Sequence, residues 1–138
     1  MNKPTLHFTL AALFLLLAGG AQADKAAQDP LAEGQSRYMK DCAACHGATG
    51  AGDGPAAGAL RKTPSDLTHL AARNDGEFPT DYVRRVVDGR DFQQLAHGIV
   101  EMPVWGNQYR SSLLALSEER VQRKINALVV YLQSIQVK

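Results

Sequence analysis

Cys42-Ala43-Ala44-Cys45-His46 decides how this chain is read. Two cysteines three positions apart, followed directly by a histidine, form the pattern by which c-type haem is attached to protein. The spacing has a chemical basis. The two thiols can add to vinyl groups on neighbouring pyrrole rings, giving two thioether bonds that pin a porphyrin against a short segment. His46 then presents its imidazole to the iron from one face. Histidine is a common axial ligand, and the ligand opposite tunes the chemistry of the iron. A CxxC can also be a redox dithiol, but that arrangement belongs near a βαβ pattern. Here no alternating Val/Ile/Phe run precedes Cys42, and the residues before it read as a helix. Structural zinc needs four ligands, usually with a second Cys pair, whereas this sequence holds 2 Cys in all.

Upstream of that helix the chain opens Met1-Asn2-Lys3, runs mostly apolar from Phe8 to Ala18 and continues Gly19-Gly20-Ala21-Gln22-Ala23. A basic start, a short apolar core and an A-x-A ending are the marks of a secretory signal peptide. The apolar run is shorter than the roughly 20 residues that span a bilayer. Residues 1–23 are therefore expected to be a cleaved leader and residues 24–138 a single domain. The whole chain carries 15 Lys+Arg against 14 Asp+Glu, and loss of Lys3 with the leader balances the two. That balance gives no basic excess for nucleic acid, and no second hydrophobic segment suggests a membrane span after cleavage. Export agrees with the haem motif, because c-type haem is joined to its protein outside the cytoplasm.

The remaining segments read as helices and loops. Asp29-Pro30 opens the first helix as N-cap and first helical residue, with Leu31, Gly34 and Tyr38 expected on its core face. A mid-helix Gly34 costs about 1 kcal/mol against Ala, which points to close approach of another helix. Gly47 to Thr63 is a Gly- and Ala-rich loop. It lacks a phosphate-binding G-x-x-x-x-G-K-[ST] and is expected to pack its backbone against a haem edge. Thr80-Asp81 is expected to cap a second helix with Tyr82, Val83, Val86 and Val87 on its apolar side, ended by Gly89. Arg84, Arg85 and Arg90 lie around its far face, where solvation is the default and contact with a partner or a haem propionate the alternative. Ser117 followed by Glu118-Glu119 starts the last helix. Val121, Ile125, Leu128, Leu132 and Ile135 then form one apolar stripe along it. No second CxxCH occurs, so one haem is expected.

The second axial ligand decides the function. Met39, Met102, His69 and His97 are the candidates. Met39 lies on the same helix as Cys42, three residues before it, and cannot reach the far face. Met102 stands in a loop, and Pro103 restricts it to extended backbone. A lone Met is ordinarily a core filler, but one in a Gly/Pro loop has less helical core to fill. His97 keeps a bis-His pair open, and His69 reads as a loop residue.

The sequence resembles the class I c-type cytochromes, specifically the small bacterial ones, over nearly all of residues 24–138. The residues that carry the resemblance are Gly34 and Tyr38 in the first helix, Cys42-x-x-Cys45-His46-Gly47, Gly54-Pro55, Gly98-x-x-x-Met102-Pro103-x-Trp105, and Tyr131-Leu132 in the last helix. The resemblance implies an all-α cytochrome c fold, with three main helices and loops wrapped around one covalently bound haem c. It implies thioethers at Cys42 and Cys45, His46 and Met102 as axial ligands, and Trp105 packed on the haem. It also implies that Pro55 offers its carbonyl to His46, and that Gly34 and Tyr38 pack against Tyr131. The function that follows is a periplasmic, monomeric carrier of single electrons by outer-sphere transfer, met transiently by redox partner proteins and not itself an enzyme. The alternatives are a subunit of, or electron acceptor for, a periplasmic dehydrogenase or reductase, and a catalytic or gas-binding haem protein with an open sixth site.

Overall fold

The first helix, α1, spans Pro30–Asp41. The Asp29 carboxylate accepts the Leu31 N–H at 2.9 Å, Pro30 takes the first helical position, and Glu33 and Lys40 sit at the dipole ends that suit their charges. These details come from a computed structural model that describes residues 29–90, 101–111 and 117–137. The expected leader, residues 1–23, and the alternative ligand His97 lie outside the described residues. Among the described residues four more helices follow: α2 (Ala43–His46), α3 (Thr80–Asp88), α4 (Trp105–Arg110) and α5 (Glu118–Ser134). Short 3-10 turns form at Ala57–Ala59 and Ala72–Asn74. Among the described residues there is no strand, so the fold is all-α as expected.

The core is where α1 crosses α5. A Cβ placed on Gly34 would overlap the Ala127 carbonyl oxygen and stand 2.7 Å from the Ala127 carbonyl carbon and 2.9 Å from Tyr131 Cβ. Only glycine lets the two backbones approach so closely. One turn on, Tyr38 is wholly buried and meets the Tyr131 ring at 5.1 Å between centroids. The expected stripe of α5 is observed: Val121, Ile125, Leu128 and Leu132 are buried, with Ile135 partly buried at the helix end. Burying side chains such as Val121, Ile125 and Leu128 contributes about 1.5–3 kcal/mol each.

Three local expectations are corrected. Leu31 is 42% exposed, so the core face of α1 begins at Gly34. Tyr82 is also exposed, and the buried apolar residues of α3 are Val83 and Val87, with Val86 only partly covered. The N-cap of α3 is Pro79 rather than Thr80 or Asp81: the Thr80 hydroxyl turns back to the Phe78 carbonyl, and the Asp81 carboxylate goes to Arg84. Gly89 ends α3 as expected, in a left-handed conformation with φ 73°. Ser117 does hold the N-cap position of α5, but without a side-chain hydrogen bond.

Polar ties fix the helix ends. Arg90 binds Asp88 on α3 and Glu118 on α5, Arg110 at the end of α4 joins the same Glu118, and Gln122 bridges Asp88 and Glu118. Gly106 is buried against Asp88 and Arg90, where a Cβ would collide with both. Arg90 is thereby a structural residue linking three helices. At the other end of α5, Gln136 donates to the Leu67 and Leu132 carbonyls and accepts the Ala71 N–H, while Val137 donates to Thr68. The end of α5 therefore holds the 67–71 segment in place.

Candidate haem site

The motif lies on α2, joined to α1 through a single residue, Cys42. The Cys42 N–H bonds Tyr38 O, and the Cys42 carbonyl accepts from Cys45 and His46. Cys42, Cys45 and His46 are all partly buried, and both thiols are free. Burial pushes the Cys42 thiol up to about 12, with the Asp41 carboxylate adding to the effect. Dithiol chemistry depends on a stabilised thiolate, so this environment disfavours the thiol–disulfide reading. Among the described residues no group of three or more His, Cys, Asp or Glu is placed to hold a metal ion.

His46 Nδ1 stands 3.0 Å from the Ser65 carbonyl oxygen. A carbonyl can only accept, so the bond assigns the proton to Nδ1 and leaves the lone pair on Nε2. An imidazole fixed in this tautomer by a partner on its second nitrogen is prepared to ligate a metal. The carbonyl belongs to Ser65 and not to Pro55. Pro55 is exposed, between residues that bind the back of α2: Gly54 donates to Cys45 O and Ala56 to Ala44 O. Gly52 and Gly54 of this loop sit against protein backbone. A Cβ at Gly54 would lie 2.6 Å from the Cys45 carbonyl carbon, and one at Gly52 would lie 2.5 Å from Pro64 O. Gly47, just after the motif, takes φ 81° and gives its carbonyl to the buried Tyr38 hydroxyl at 2.7 Å.

Met102 lies in irregular backbone just ahead of α4, partly buried against the core. Trp105 is the first residue of α4 and packs on Tyr109 at 5.7 Å between ring centroids. The Tyr109 hydroxyl donates to Asp41, and the Arg37 guanidinium lies over its ring at 5.1 Å. Burial, then the bond to Asp41, raises the Tyr109 phenol well above its ordinary range, so it stays a donor. Glu101, beside Met102, accepts the backbone N–H groups of Arg61 and Lys62 at 3.0 and 3.2 Å. Of the other candidates, Met39 and His69 stand apart from this arrangement. Met39 is 49% exposed on α1, and His69 is an exposed residue bonded through Nδ1 to Asp66 and Thr68.

These residues fit a haem. Two thiols and an imidazole share one turn of chain, and the imidazole keeps Nε2 for a metal. Leu67, Leu70, Phe78, Met102 and Trp105 are apolar side chains packed on the core but incompletely covered, as a flat apolar group would require. An all-α domain with such a site has the character of a c-type cytochrome. The family described as Cytochrome C oxidase, cbb3-type, subunit III, matches residues 29–112, and the chain belongs to that family. Membership implies a haem c and haem-based electron transfer. No curated protein and no solved structure matches the chain.

The sequence alone did not single out Ser65, Glu101 or the Tyr38 hydroxyl. Pro64-Ser65-Asp66 carries turn-forming residue types, yet nothing in it says that the Ser65 carbonyl meets His46. Glu101 carries a weak signal, an acid immediately before a Met-Pro pair.

Proposed function

We propose that this protein is an exported, periplasmic, monohaem electron carrier. In this reading Cys42 and Cys45 form the thioethers, and His46 Nε2 and Met102 Sδ ligate the iron. When bound, the haem supplies reversible one-electron chemistry. His46 and Met102 would fill both axial positions and leave none for a substrate, which favours a carrier over a catalyst. The partly covered apolar side chains exclude water from the site, and the Ser65 carbonyl keeps the imidazole oriented in either oxidation state. The observation that carries the reading is the His46 Nδ1 bond to Ser65 O on the same turn as the two thiols. Partners would be other redox proteins, met through small transient interfaces. The family's description as an oxidase subunit supports a second reading, in which the domain works within a larger assembly. A monomer in the released periplasmic fraction supports the carrier, and a membrane-bound complex supports the subunit.

The experiment is an absorption spectrum of the mature protein before and after extraction with acidic organic solvent. Haem should stay with the polypeptide. The ferric form should show the weak far-red band of sulfur-to-iron charge transfer, and Met102→Ala should abolish it. Haem that leaves the chain, or a band indifferent to Met102→Ala, refutes the assignment.

A further inference from the structure

Two neighbours flank Met102, and each side is anchored differently. On the C-terminal side, Val104 lies 3.3 Å from where a Cβ of Gly89 would stand, and its carbonyl accepts the Asn107 and Gln108 N–H groups that open α4. On the N-terminal side, Glu101 spreads its two carboxylate oxygens over consecutive amides, Arg61 at 3.0 Å and Lys62 at 3.2 Å. Those amides belong to the loop that, three residues later, supplies the Ser65 carbonyl to His46. One loop thus holds the imidazole through a backbone acceptor and the Met102 segment through two backbone donors.

We propose that Glu101 is a positioning residue for Met102, clasping the Arg61 and Lys62 amides so that the Met102 side chain is held in register with His46. The inference rests on reading Met102 as the axial ligand. The physical ground is acceptor geometry. A carboxylate gives each N–H its own anionic oxygen, in charge-assisted bonds stronger than neutral ones. Glutamine offers one acceptor oxygen for the same two donors, and alanine offers none. A ligand held by neighbours that are themselves fixed keeps its placement, whereas one whose support is removed samples others. The clasp spans residues 40 and 39 positions apart in sequence, so its loss unties two loops that are not neighbours along the chain.

The test compares the haem-loaded wild type with Glu101→Ala, Glu101→Gln and, as a control for general loosening, Asp29→Ala, which removes the distant cap of α1. Three quantities are read: amide hydrogen exchange at Arg61 and Lys62, the far-red band of the ferric protein, and the rate at which added imidazole binds. Glu101→Ala should speed exchange at both amides, weaken the band and accelerate imidazole binding by about tenfold, equivalent to about 1.4 kcal/mol. Glu101→Gln should fall between alanine and wild type, and it carries the test if the alanine variant does not fold. Asp29→Ala should bind imidazole at the wild-type rate. The inference is overturned if the Glu101 variants keep the wild-type band and imidazole rate, or if Asp29→Ala accelerates binding equally. A wild type without the band removes Met102 as ligand and this inference with it. That failure is distinguishable because it is seen before any Glu101 variant is made.

Discussion

Gly34→Ala tests the crossing on which the fold is built. A single added methyl would overlap the Ala127 carbonyl oxygen and come within 2.7 Å of the carbonyl carbon and 2.9 Å of Tyr131 Cβ. These are backbone and Cβ atoms, so no rotamer change relieves the contact and α1 must move away from α5. Overpacking of this kind costs about 1–3 kcal/mol, occasionally more. Alanine's better helix propensity offsets about 1 kcal/mol of that. The net expectation is a loss of up to about 2 kcal/mol, or up to roughly 12 °C in Tm for a domain near this size. The assay is urea unfolding of the haem-loaded protein, with an unchanged m-value confirming that stability alone has shifted. Because the clash is with backbone, pairing Gly34→Ala with Ala127→Gly should restore little. Gly58, whose Cβ would meet nothing within 4 Å, is the control, and its replacement by alanine should be neutral or mildly stabilising. The reasoning is refuted if Gly34→Ala gains stability as Gly58→Ala does, for then the helices do not touch at Gly34.

Two further outcomes are expected. Tyr38→Phe should lower stability by about 1–3 kcal/mol, because the Gly47 carbonyl loses a buried donor; an unchanged urea midpoint would count against that bond. The Glu118 carboxyl is held at about 2, below its usual 4.5, first by the Arg90 hydrogen bonds and then by Gln122, and Asp88 is lowered by the same arginine. Depressed folded values mean that this stabilisation is present above 4.5 and lost as pH falls toward about 2. Arg90→Ala should flatten the fall of Tm across that window, and pH curves of equal slope for variant and wild type would show that the cluster does not contribute.

Much of the fold was written in local chemistry. Asp29-Pro30 starts a helix wherever it stands before a periodic segment, because cap and ring geometry act within one turn. The stripe from Val121 to Leu132 names its own buried face, and a glycine inside a helix already implied the close neighbour that Ala127 and Tyr131 turn out to be. The haem motif is equally local, since its chemistry needs only Cys42, Cys45 and His46 on one turn. The tertiary structure decided what depended on the path of the chain. Whether Ser65 or Pro55 meets His46 is set by how the glycine loop satisfies its N–H groups on the back of α2, and no residue pattern encodes that route. Likewise, Glu101 finds its partners at Arg61 and Lys62 only when two loops meet. Leu31 and Tyr82 fit the helical period yet lie beyond the edges of the packed faces, because periodicity gives the direction of a side chain and only the neighbouring helix determines how far the contact extends.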